Sequence, residues 1–205
     1  MFYDPRNDPH GLPRDPFKSL VVPRPIGWIS TVGADGVFNL GPYSFFNGVS
    51  TDPAVVMFCP GGGALADGRK DSWKNAEDTG EFVVNVVDEV QHLEMNETSA
   101  DVPPDVDEFT LAGLTMERST AVKPPRVKGA PAHLECEYLQ TVELPSEVAG
   151  RRNAIILGTV VGIHIDDRIL TDGFVDMEKF RPVARLGYMD YTVVDNVFTM
   201  LRPGM

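Results

Sequence analysis

Ala34-Asp35-Gly36 stands between two apolar runs, Ile26–Val32 and Val37–Phe46, and few folds accommodate that arrangement. An Asp-Gly step between strand-like runs predicts a hairpin closed by a type I′ turn, whose central residues both take positive φ. The second run is unusual for a strand. Asn39-Leu40-Gly41-Pro42-Tyr43-Ser44-Phe45-Phe46-Asn47 mixes amides, a hydroxyl, Gly and Pro with bulky aromatics. Pro42 cannot donate to a ladder, so the segment belongs at a sheet edge, a bulge or the mouth of a barrel. Small polar groups, free backbone N–H and aromatic rings together suit a heteroaromatic phosphate ligand.

The rest of the chain continues in strands. Ala54–Cys59 is an apolar run bounded by Pro53 and Pro60, and Glu81–Val87 places Phe82, Val84 and Val86 on one face. Ala132–Leu144 alternates, with Leu134, Cys136 and Tyr138 on one side and His133, Glu135 and Glu137 on the other, which predicts a half-buried antiparallel strand. Asn153–Ile165 is long and β-branched, and Gly158 and Gly162 mark bulge or bend points. A last strand is expected around Tyr191–Val194. Helices are few. Asp71 or Ser72 is a good N-cap for one that stops at Gly80, Asp88 with Gln91 reads as a capping box for one over Glu89–Thr98, and Gly173–Arg181 has room for a turn or two. Strands with short helices and frequent Gly/Pro punctuation predict a mainly β protein, an antiparallel barrel with peripheral helices. The Pro-rich segment 1–17 reads as an extended arm and 18–205 as a single domain.

Several function classes are disfavoured. A formal net charge of −12 argues against nucleic-acid and anionic membrane surfaces, so an anionic ligand needs a local cluster of donors, for which Arg24, Arg69, Lys70 and Arg185 are the candidates. Cys59 and Cys136 lie in apolar runs and read as buried hydrophobes. The polar N-terminus lacks a signal-peptide core and no apolar run reaches membrane-span length, so a cytoplasmic protein is expected. The acidic run Asp101–Glu108 reads as a solvated loop, and no metal is predicted. Gly61–Gly68 is Gly-rich but matches no P-loop, and no Gly-x-Gly-x-x-Gly opens a helix. The Gly-rich loop instead delivers Lys70-Asp71-Ser72 to a helix start, where unpaired N–H groups and the dipole favour a phosphate. No carboxylate–histidine–nucleophile pattern is present; His164, between two isoleucines, reads as a surface or interface residue.

Arg24-Pro25-Ile26-Gly27-Trp28-Ile29-Ser30-Thr31, Asn39–Asn47, Lys70-Asp71-Ser72 with Asn75, Glu81–Asn85, and Arg185-Leu186-Gly187 with Tyr191 occur in an order that resembles the flavin reductase-like FMN-binding split-barrel proteins. The resemblance implies a homodimer holding FMN between subunits. On that resemblance Ser30, Thr31, Asn39 and Ser44 serve the ribityl chain and phosphate. Backbone around Tyr43, Ser44, Phe45 and Phe46, with Asn47, meets the ring edge. Lys70, Asp71 and Ser72 hold the phosphate, and Arg185 approaches the phosphate or the second subunit. Trp28 or the Phe45-Phe46 pair could stack on a ring, although strand aromatics are more often core. Relatives often carry Ala at position 41 and Gly at 188, and Tyr188 should narrow the nicotinamide or acceptor side.

The implied activity is hydride transfer from NADH or NADPH to flavin, and on to free flavin or a protein acceptor. No catalytic residue is assigned, because such transfer asks for positioning and electrostatics more than acid–base groups. The alternatives are an FMN-binding electron carrier, a flavin-binding module without enzymatic activity, and a barrel that has lost flavin.

Overall fold

The computed structural model describes residues 1–7, 10–63, 65 and 67–204. Asp8 and Pro9 of the expected arm, Ala64 and Ala66 of the Gly-rich loop, and Met205 lie outside the described residues. In chain order the elements are α1 (Phe17–Leu20), β1 (Arg24–Pro25), β2 (Gly27–Val32), β3 (Phe38–Tyr43), β4 (Phe46–Thr51), β5 (Ala54–Phe58), α2 (Asp71–Thr79) and β6 (Glu81–Val86). There follow α3 (His92–Glu97), α4 (Glu108–Leu111), β7 (Met116–Glu117), β8 (Arg126–Val127), β9 (Ala132–Leu144) and β10 (Asn153–Ile165). The chain ends with β11 (Leu170–Thr171), β12 (Phe174–Val175), α5 (Met177–Phe180), β13 (Val183–Arg185) and β14 (Tyr191–Val193).

The main sheet is antiparallel throughout, in the order β3-β2-β6-β9-β10-β5-β4. Its two edge strands, β3 and β4, are consecutive in the chain, and only Ser44 and Phe45 join them. A link that short reaches roughly 10 Å at full extension. The edges must therefore lie side by side, and the sheet is rolled into a barrel split at that seam. Phe46 confirms the close approach, since a Cβ on Gly27 would lie 2.6 Å from its ring. Pro42 sits opposite Trp28 on an edge strand, where a missing N–H removes no ladder bond. Gly158 and Gly162 fall where the β9–β10 register slips, which bends that long pair around the barrel.

One apolar cluster, including Ile29, Phe58, Phe82 and Ile156, fills the barrel, and Trp73 and Ala76 of α2 pack into it. The other, including Trp28, Leu40, Met95 and Phe109, lies between the β2–β3 face and α3 with α4. Trp28 is fully buried and its indole N–H donates to Thr98 Oγ1 at 2.9 Å, so it belongs to the core.

Several expectations need correction. The hairpin turn is not type I′. Gly36 alone has positive φ (86°), its N–H bonds Gly33 O, and the Asp35 carboxylate accepts from Val37 N, which makes a longer loop with the left-handed glycine last. Lys70, not Asp71 or Ser72, is the N-cap of α2, although Gly80 ends the helix with φ 75°. Asp88 does accept from the Val90 and Gln91 N–H groups, but it is spent on that turn and on Arg168, and α3 starts only at His92. The polar face of β9 is solvated only in part, because His133 is 4% exposed and Glu135 fully buried while Glu137 and Glu143 are exposed. Glu135 accepts from the N–H groups of Thr120, Ala121 and Val122 and contacts His164 at 2.5 Å, tying the 120–122 loop to the barrel wall.

Candidate functional site

The seam and the start of α2 come together. Tyr43, the last residue of β3, shares a hydrogen bond of 2.5 Å with the Ser72 hydroxyl in the first turn of α2. Ser72 is fully buried by this contact, and burial pushes the Tyr43 hydroxyl well up from its ordinary pKa of 10.0. Beside them Asn39, Tyr43, Lys70, Asp71 and Glu108 line a cavity of about 100 Å³ closed by residues 98–102. The Lys70 ammonium reaches into a 2.8 Å ion pair with Asp101, whose carboxylate is 85% exposed. No side chain caps the first turn of α2, so its leading N–H groups are open to a ligand.

This cavity also holds carboxylates that the sequence did not place there. Glu108, expected in a solvated loop, is 6% exposed; its Oε1 accepts from the Asn39 amide and its Oε2 from the Leu40 N–H, both at 2.9 Å. Burial pushes the Glu108 carboxyl above its ordinary pKa and does the same to Asp71. An acidic residue in an acidic run gives no sequence signal of such burial.

The remaining expected residues divide. Ser30 and Thr31 are fully buried behind the cavity wall. Ser30 donates to Pro125 O and accepts from the Asn85 amide, while Thr31 accepts from the Asn75 amide and meets Asn39 Oδ1 at 3.4 Å. Their hydroxyls brace the strand, and neither residue lines the cavity. Ser44, Phe45 and Phe46 are half-exposed on the seam and Asn47 is exposed on β4. Arg185 is not with Lys70. It lies with Lys18, Arg24, Ser44 and Tyr188 around a second cavity of about 310 Å³ that shares Pro42 and Ser99 with the first.

Arg24 stands directly opposite Arg185 in the β1–β13 pairing. Its guanidinium donates to the carbonyls of Lys18, Val21 and Leu186 and to Ser44 Oγ, so none of these partners is a carboxylate, and it is 6% exposed. Burial and then the Arg185 charge lower its pKa. Arg185 stacks over Tyr191 at 4.3 Å and donates to Tyr188 O at 2.5 Å. Among the described residues no cluster of His, Cys, Asp and Glu could hold a metal ion.

Residues 19–184 match the family model described as flavin reductase like domain. A curated relative, an uncharacterized protein of Aquifex aeolicus, is 43% identical over 169 residues, 82% of this chain and 83% of that protein. Among solved structures, nitrilotriacetate monooxygenase component B from Bacillus cereus superposes with a TM-score of 0.88 at 30% identity, covering 98% of both chains. Flavoredoxin of Desulfovibrio vulgaris (Miyazaki F) has a TM-score of 0.76 at 17% identity, covering 90% of this chain and 93% of its own, a likeness of fold.

Proposed function

The chain belongs to the flavin reductase-like family, and on that premise we propose that it is an FMN-binding oxidoreductase oxidising NADH or NADPH and passing electrons to free flavin or a protein acceptor. The observation that carries the reading is the meeting of Lys70 and the uncapped α2 start with the Asn39–Tyr43 edge in one cavity, on a chain of net charge −12. These residues fit a flavin phosphate: an ammonium held only by an exposed partner, open helix N–H groups, and an amide beside them. Asp71 and Glu108 work against a dianion there, and burial offsets part of this by favouring their neutral forms.

In this reading Lys70 and the N–H groups of Asp71 and Ser72 hold the phosphate, and Asn39 orients the ribityl chain. The backbone of Tyr43, Ser44, Phe45 and Phe46, with the Asn47 amide, meets the ring edge. FMN, when bound, supplies the redox chemistry. The protein positions it and places donors along its edge.

A homodimer with FMN near the interface completes the proposal. Leu139, Val142 and Leu144 on β9 and Val161, Ile163 and Ile165 on β10 are exposed apolar residues on the longest strand pair, as an association surface requires. Among the described residues no helix is long and apolar enough to cross a membrane, and we place the protein in the cytoplasm. Elution as a monomer at micromolar concentration would count against the dimer.

The deciding experiment is the visible spectrum of protein purified with added FMN, followed by anaerobic titration with NADH and NADPH. A flavin band bleached by either donor is expected. Colourless protein with no affinity for FMN overturns the reading, whereas bound FMN that neither donor bleaches leaves an electron carrier. Tyr188 favours the carrier, because its side chain lines the adjoining cavity where a donor must approach.

A further inference from the structure

Arg14 lies outside every strand and helix, yet its guanidinium sits over the Tyr188 ring at 5.7 Å. The contact joins the Pro-rich arm to the turn between β13 and β14. That turn is tight: the Leu186 N–H donates to Asp190 O and the Asp190 N–H to Gly187 O, both at 2.9 Å. Within it Tyr188 takes φ 53°, a left-handed conformation that bulky residues seldom adopt. Arg185 holds its backbone by donating to the Tyr188 carbonyl. Its ring is held differently. The hydroxyl has no hydrogen-bond partner among the described residues, and Arg14 is the one group among them found stacked on the ring.

The root of the arm is fixed on the same turn. Helix α1 packs so closely on Gly187 that a Cβ there would meet Ser19 Cβ at 2.6 Å and Ser19 Cα at 2.9 Å. Arg24 donates to the carbonyls of Lys18 and Val21, at the helix, and to that of Leu186, in the turn, so the two share an anchor. Asp15 Oδ1 accepts from the Phe17 N–H at 2.9 Å, which sets the step from arm into helix. Arg14, immediately before that step, is thus presented to Tyr188 by a rooted segment. The Tyr188 side chain lines the cavity of about 310 Å³ beside the seam, whereas no described residue of segment 1–17 does. The arm therefore reaches the cavity through Tyr188 and does not fill it.

We propose that Arg14 is a positioning residue that clamps Tyr188 across the mouth of this cavity, so that the N-terminal arm sets how freely a redox partner approaches the flavin from that side. The inference deepens the proposed function and rests on it for the flavin. An exposed cation–π contact shifts a two-state equilibrium by about two- to fivefold, so the clamp narrows the approach and is readily released. Lifting the arm frees the ring and opens the mouth.

Two measurements test it. On the protein as purified, trypsin cleavage after Arg14, followed by mass spectrometry, reports whether that side chain is held. Tyr188→Ala should speed this cleavage two- to fivefold, and Tyr188→Phe, which keeps the ring, should leave it unchanged. On FMN-loaded protein, the second readout is reoxidation of photoreduced flavin by 1,4-benzoquinone, a neutral two-electron acceptor on which the lost charge does not act. Arg14→Gln should speed reoxidation two- to fivefold, and Arg14→Lys should keep the original rate. Tyr188→Gly, a residue that adopts this φ freely, should speed it at least as much, and adding Arg14→Gln to it should change nothing further. FMN affinity should be equal in all. The proposal is overturned if cleavage after Arg14 ignores Tyr188→Ala, if Arg14→Gln reoxidises at the original rate, or if the two substitutions act multiplicatively. Absence of a flavin band defeats the flavin reading instead, and the cleavage measurement still decides the clamp.

Discussion

Asp101 occupies the ammonium that the proposed phosphate needs, at 2.8 Å from Lys70 Nζ with 85% of its side chain exposed. Exposed pairs of this kind contribute little to stability, at most about 1 kcal/mol, so on the proposed function an incoming dianion should displace Asp101 from Lys70. Asp101→Asn should therefore tighten FMN binding severalfold without loss of thermal stability, and Lys70→Ala should weaken it by about 1.5–3 kcal/mol. Fluorescence titration of the two variants checks both signs. At Glu135, burial alone would raise the carboxyl, but the Thr120 and Ala121 N–H groups and His164 outweigh it and hold the pKa below the ordinary 4.5. A carboxylate with a depressed native pKa stabilises the fold above its unfolded value, and that stability is lost as pH falls through the depressed one. Stability should drop below pH 4.5, and Glu135→Gln, though destabilised overall by about 3 kcal/mol, should show a shallower acid slope in urea denaturation. An unchanged slope removes Glu135 from the account. Residue type alone could not show these roles. Glu135 and Glu108 look solvated and are buried, and the Ser30 and Thr31 hydroxyls are bonded in the interior, because strand alternation indicates facing but not what covers the face.

Elements were more legible where a face is repeated. The observed bounds of β9 and β10, Ala132–Leu144 and Asn153–Ile165, coincide with the expected ones, since long alternating or β-branched runs carry period and length together. Strand β4 was unread for the opposite reason: it is an edge strand, exposed along nearly its whole length and slipped in register between Gly48 and Ser50, so no alternation marks it. The seam between β3 and β4 was legible as an edge through Pro42, but closure of the sheet depends on strand order, which no local pattern contains. That closure makes a test at Gly27. A Cβ there would meet Phe46 ring atoms at 2.6 and 2.7 Å, and because one of them is Cγ, next to the backbone, the ring cannot swing aside cheaply. Gly27→Ala should cost about 1–3 kcal/mol in chemical denaturation and raise the FMN dissociation constant by moving the seam. A neutral effect would mean that β2 and β4 are not in contact.

At the scale of the whole molecule the charge distribution sets how ligands arrive. A field of net charge −12 repels anions at long range, so on the proposed function FMN is opposed on approach and attracted by Lys70 only at contact. Salt screens exposed charges beyond the Debye length, about 8 Å at 0.15 M. Raising ionic strength should then speed FMN association while weakening final affinity, and stopped-flow and equilibrium titrations separate the two. Slower association with added salt would show that the local cations already dominate the approach.

The β1–β13 ladder joins residues far apart in the chain: the guanidinium of Arg24 rests on the carbonyl of Leu186, 162 positions later. The cationic basin cannot form before β13 is made and pairs with β1, since Arg185 and the Leu186 carbonyl come from that later segment. A chain cut before β13 could roll its main sheet and still lack the Arg24–Arg185 pair. Assembly of that basin thus reports that β1 and β13 have paired.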